Sequence, residues 1–155
     1  MDPTASILNQ NLSIEKFLWD KVASIAGVLL MQTGDIATRQ EELLDTDRAI
    51  VWHTTGGAAG NHGELTLFVG ATTIRDPGGI RRIVLLDKIK EAFDVNAGIG
   101  VWQYEETGLI TEPVTKVNEL AIIGPLHWWP EFTDPNIRFT TKHVSQKLKF
   151  AQRRI

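Results

Sequence analysis

The sequence predicts an α+β fold with a mainly antiparallel sheet. Two amphipathic helical stretches are separated by three strand-like runs and followed by three more, so helices and strands do not alternate as βαβ units. The chain has 155 residues, 43% hydrophobic and 23% charged, enough for one domain with a real core. It contains no internal repeat and no low-complexity segment. Residues 1–141 read as a single domain, and residues 142–155 as a basic strand end and tail.

Ile14, Phe17, Leu18, Val22 and Ile25 recur at helical spacing, with Glu15, Lys16, Asp20 and Lys21 on the other side. Ser13 is the expected N-cap of this helix and Gly27 its terminating glycine, while Asp2-Pro3 suits an earlier turn. "GVLLM" reads as a short buried strand. Residues 32–47 are polar and acidic, an excursion loop or a short helix around Glu41–Leu44. "RAIVWH" and "ELTLFVGA" read as strands joined by the ten-residue loop Thr54–Gly63, a long hairpin with a flexible tip. "RDPGG" breaks the chain before a second helix. There Ile80, Ile83, Leu86, Ile89 or Lys90, and Phe93 trace the face expected to lie on the sheet, with Arg81, Arg82, Asp87, Lys88 and Glu91 off it. Asn96 and Gly98 stop it. "GIGVWQY", "PVTKVNELAII" and "NIRFTTKHV" complete the strands, separated by turns at "EETG", "GP" and "DPN".

Several function classes are excluded or disfavoured. With no cysteine there is no disulfide, thiolate nucleophile or thiolate metal site. The N-terminus lacks a signal peptide's basic start and apolar run, and no apolar stretch approaches the ~20 residues that span a bilayer. These features predict a soluble protein that is intracellular when made. Net charge is −3 but uneven. All 19 acids and 11 of the 16 Lys/Arg precede residue 142, leaving that portion at −8, whereas Lys142, Lys147, Lys149, Arg153 and Arg154 give the last fourteen residues +5. Such an end pairs with nucleic acid or with an acidic surface on another subunit, or simply stays solvated.

"TTGGAAGNHG" invites a phosphate-loop reading. A Walker-type loop needs Lys and Ser/Thr after its last glycine, but Asn61 follows Gly60 and Glu64 follows Gly63. A dinucleotide fingerprint must open a helix, and this loop opens a strand. The expected role of Gly56, Gly57, Gly60, Asn61 and His62 is a hairpin tip that orders against a neighbour. His53, His62 and Glu64 are candidate metal ligands, with Asp45 and Asp47 as further donors, but a usual site needs three or four convergent ligands. There is no G-x-S-x-G and no H-E-x-x-H, and Glu41–Glu42 and Glu105–Glu106 read as solvated surface. No catalytic residue, metal or cofactor is expected.

"HWWPEF" (residues 127–132) is the aromatic feature. Successive side chains of an extended segment point to opposite faces, so Trp128 and Trp129 do not share one core. Either one ring serves as an interface anchor, or a proline-bounded loop buries both within the monomer. Base stacking is a third reading, against which Glu131 and Asp134 argue.

The order of elements resembles the phage tail-terminator and head–tail joining proteins of the neck. The resemblance covers "IEKFLWDKVASI", the strands with their long loop, "GGIRRIVLLDKIKEAF", and the antiparallel strands that end in a tail. It has no signature motif, and the 32–47 excursion and "HWWPEF" have no counterpart in it. It implies a non-catalytic virion protein without cofactor. Such a protein assembles as a ring, commonly hexameric, that joins tail tube to head connector, and is cytoplasmic in the host before assembly. The expected partners are further copies of the chain and other neck or tail proteins. Interface residues are then expected at Trp128, Trp129, the Thr54–Gly63 loop, and Lys147, Lys149, Arg153 and Arg154. A tail-tube or other neck protein is the nearest alternative. From another class, it is a small metal- or ligand-binding enzyme at His53, His62 and Glu64.

Overall fold

The computed structural model describes residues 6–56, 64–104, 115–136 and 138–150. Its elements bear out the α+β reading. Helices α1 (Ile7–Leu18), α2 (Gln40–Thr46) and α3 (Ile80–Val95) accompany a sheet of β1 (Leu29–Gln32), β2 (Arg48–Gly56), β3 (Glu64–Thr73), β4 (Gly98–Gln103), β5 (Thr115–Trp128), β6 (Phe132–Thr133) and β7 (Thr140–Phe150). The strand order is β1-β2-β3-β7-β5-β4, with β6 beside β7. The sheet is mixed rather than purely antiparallel, because β1 runs parallel to β2.

Helix α1 starts earlier than the pattern suggests. Ser6, not Ser13, is the N-cap, and its Oγ accepts the Asn9 amide proton at 3.3 Å. A π turn at Trp19–Ala23 carries the helix on to Ser24–Ala26, and Gly27 ends it at φ 67°. The π turn inserts one residue and rotates the downstream positions by about 100°. Val22 and Ala23 therefore enter the core, while Ile25, expected on the buried face, is exposed.

Ser13 has a different task. Its Oγ accepts from the Trp102 N–H at 2.9 Å, and Asn9 Oδ1 accepts from the Tyr104 N–H at 3.0 Å. Trp102 belongs to the end of edge strand β4 and Tyr104 directly follows it, so α1 occupies donors that a foreign strand would use.

In β2 and β3 the pairing runs on through Thr54↔Leu67, Thr55↔Thr66 and Gly56↔Leu65. The first three residues of the expected loop are thus strand; residues 57–63 lie outside the described residues. Gly124-Pro125, read as a turn, is instead an irregularity inside β5, with Gly124 at φ 73° and the register to β7 shifted between Ile123 and His127. The buried Gln146 side chain donates to the Ile123 and Gly124 carbonyls at 2.9 and 3.1 Å, satisfying acceptors that the shift leaves unpaired.

The main core lies between one sheet face and α1 with α3, and includes Phe17, Leu18, Trp52, Leu67, Val69, Leu86, Ile89, Phe93, Val144 and Leu148. Strand alternation turns Ala49, Val51, Phe68, His143 and Ser145 to the other face. One end of that face is covered by the 32–47 excursion, where Met31, Leu43, Ala49, Val51, Ile74 and Phe139 form a second, smaller core. The excursion is helical at Gln40–Thr46. Among the described residues, no helix is long and apolar enough to cross a membrane.

Candidate interface

The outward side of α3 is the first candidate surface. Leu85, Leu86, Ile89, Ala92 and Phe93 are buried, a spacing of i, i+1, i+4, i+7 and i+8 that makes one apolar stripe. That stripe fixes the helix's rotation and carries Arg82 inward, to 7% exposure. The expected face is therefore right from Leu86 through Ile89 to Phe93 but wrong at its start: Ile80 is 64% exposed and Ile83 52%, with neighbouring Val84 at 49%, while an arginine lies inside. A buried guanidinium needs paired acceptors. Arg82 donates to Thr73 Oγ1 at 2.8 Å and to Glu131 Oε1 at 3.1 and 3.2 Å, with Asp76 Oδ2 at 3.7 Å. Gly79 makes the room, at φ 69°, since a Cβ there would stand 2.7 Å from an Arg82 terminal nitrogen. Asp76 in turn accepts the Arg81 and Arg82 amide protons at 3.1 and 2.9 Å, capping α3. Burial pushes the Asp76 carboxyl up, but those two amides, the Thr73 hydroxyl and Arg81 outweigh it and hold it below the ordinary 3.8.

The second surface is the part of the sheet that, among the described residues, the excursion leaves bare. A row of rings crosses it: His53 stacks on Phe68 at 4.7 Å, Phe68 meets Trp129 at 5.7 Å, and Trp129 meets His127 edge-on at 4.6 Å. Strand β7 passes under this row with small Ser145, whose Oγ accepts from Trp129 Nε1 at 3.0 Å. Beside the row lies a groove of about 670 Å³ with an apolar lining of Phe68, Ile123, Pro125 and Trp129, and Lys147 at its rim. His143 completes the face by lying over Gly70, where a Cβ would come within 2.8 Å of its ring. Its Nε2 is buried and has no hydrogen-bond partner among the described residues. His53 Nδ1 is tied to Thr33 Oγ1 of the excursion at 2.9 Å. Burial holds both imidazoles below 6.5, and His53, 5.5 Å away in ring centroids, depresses His143 further.

Trp128 and Trp129 are 43% and 40% exposed and face opposite sides of the sheet, which removes the reading that both are buried in the monomer. Trp128 sits opposite core residue Val144, on the helix side, and Trp129 lies on the bare side. Lys147 stands at the groove, while Lys149 is opposite Glu64. Gly56 ends β2 at φ 74°. Gly57, Gly60, Asn61, His62, Arg153 and Arg154 lie outside the described residues.

The strand-borne metal candidates are not brought together. His53 is opposite Phe68, and Glu64 is four residues further along β3, about 13 Å away by strand rise. Asp47 is held by Arg81 at 2.6 Å. Among the described residues no group of three His, Asp or Glu side chains is placed to hold a metal. Sequence spacing does not single out the groove wall (Phe68, Ile123, Pro125) or the outward α3 residues. The signal for α3 is present in the unbroken "IVLL", which offers apolar residues to two faces at once.

Neither protein-family models nor curated protein sequences give a match to this chain.

Proposed function

We propose that the protein is a structural virion subunit that assembles into a ring in a phage neck or tail, as the terminator joining tail tube to head connector. The virion placement rests on the order of helices and strands along the chain. The ring reading is carried by one observation: α3 leaves Ile80, Ile83 and Val84 in water while an arginine is taken inside. Isolated exposed apolar residues are ordinary, but three within two turns of one helix, beside a buried charge, mark a contact surface. The exposed Trp128 and Trp129 and the bare apolar groove support the same reading. Ligand chemistry at His53, His62 and Glu64 draws no support from the strand register.

Light scattering across a concentration series, with negative-stain images, tests this. A closed ring is the expected species. A monomer at every concentration, also after cross-linking, contradicts the ring reading.

A further inference from the structure

We infer that the outward ridge of α3 on one copy seats in the helix-free groove of the next, so that the chain associates head to tail. The inference rests on the ring-subunit reading and names the two surfaces that mate. Ile80, Val84, Asp87 and Glu91 fall at i, i+4, i+7 and i+11, one line down the outward face of α3, with Ile83 beside its start. The ridge is thus apolar in its first turns and acidic beyond them. Lys88 lies on its flank, and Lys90 is held by Asp94 at 2.5 Å.

The groove has the matching layout. Phe68, Ile123, Pro125 and Trp129 give an apolar wall, and its charged lining residue is Lys147. Ile80, Ile83 and Val84 fit the wall, and Asp87 with Glu91 then approaches Lys147, a complementarity that fixes direction as well as contact. Neither surface suits a copy of itself. Two ridges packed in parallel would oppose Asp87 and Glu91 to the same acids, two packed antiparallel would leave those acids without the lysine that the groove offers, and two grooves would leave the space between them unfilled.

Position reinforces this. The ridge is on the far side of the helix layer and the groove is on the bare side of the sheet, so one contact leaves each copy with a free ridge or a free groove. Contacts between unlike surfaces propagate, and they terminate only by closing into a ring.

The test uses the full chain with two variants at exposed positions. Ile83→Asp disables the ridge. Ile123→Glu disables the groove, and its carboxylate falls opposite Lys147 on the neighbouring strand, a pairing that favours folding. Both must keep the wild-type circular dichroism. Each alone is expected to lose self-association by about thirtyfold or more. An equimolar mixture is expected to restore a dimer and no larger species, because one intact ridge meets one intact groove.

Since the chain has no cysteine, Val84→Cys and Thr66→Cys prepared separately give an independent readout. A disulfide-linked dimer is expected from the mixture in excess of either protein alone. If Ile83→Asp or Ile123→Glu assembles like wild type, or the mixture stays monomeric, the docking is overturned while the ring reading stands. If wild type never exceeds monomer mass and the cysteine pair never links, both fall.

Discussion

Arg82 and Asp76 decide how α3 sits. Removing Asp76 takes an anion from beside a buried guanidinium and two cap acceptors from the helix start. Asp76→Ala is therefore expected to cost about 3 kcal/mol, read from urea unfolding. The same residue acts in acid. A carboxyl held below 3.8 in the folded chain contributes stability that is complete above that value and lost as pH falls through the depressed one. His53 and His143 act earlier. Both are held below 6.5, so the folded state favours their neutral forms, and their contribution is complete above 6.5 and lost as pH falls below it. Urea midpoints are expected to fall in two stages, the first below about pH 6.5 and the second below about pH 4. His143→Gln is expected to shrink the first stage and leave the second. A single transition near pH 4 in the wild type would contradict the neutral histidine pair.

At the scale of elements, the two faces of α3 make opposite predictions. Leu86→Ala opens a cavity in the main core and is expected to cost about 3 kcal/mol. Ile83→Ala is expected to stay within about 0.5 kcal/mol, since its side chain is half in water. Equal costs would contradict the assigned rotation of the helix. The legibility of the fold divides along the same lines. Both amphipathic helices, the Gly27 stop and the strands of "RAIVWH" and "ELTLFVGA" follow from local spacing, and the structure has them. The errors share a cause. Spacing misplaces Ile25 because a π turn changes the phase of α1, which no apolar count registers. Hydropathy puts Ile80 and Ile83 inside because it ranks them above arginine. The partners that reverse that ranking are Thr73 and Asp76, which hydropathy does not register, and Glu131, 49 residues away in the chain. Gly124-Pro125 reads as a turn because the residues that satisfy an interrupted strand, here Gln146, are distant in sequence. The groove is illegible for a related reason. Its wall draws on β3, β5 and β7, and the neighbours of β7 depend on sheet order rather than on any local pattern.

Across the whole molecule, β7 lies between β3 and β5 and contributes Val144, Leu148 and Phe150 to the core. A chain cut after Thr141 is therefore expected to lose the fold, read as loss of a cooperative thermal transition. Such a deletion cannot isolate the role of the basic end. Lys147→Glu with Lys149→Glu does so, because both side chains are exposed. If the groove's basic rim serves a neighbouring subunit, this double variant weakens self-association. If that end binds nucleic acid, it lowers a steeply salt-dependent affinity instead. The remaining edges agree with assembly through faces rather than strand pairing. Strand β1 is only four residues long, and the end of β4 is already capped by α1.

Ring assembly through α3 is tested most directly by the light-scattering mass of Ile83→Asp beside wild type, at equal concentration and with matched circular dichroism. A large closed species is expected for wild type and a monomer for the variant. An identical oligomer for both would show that the outward face of α3 is not the contact.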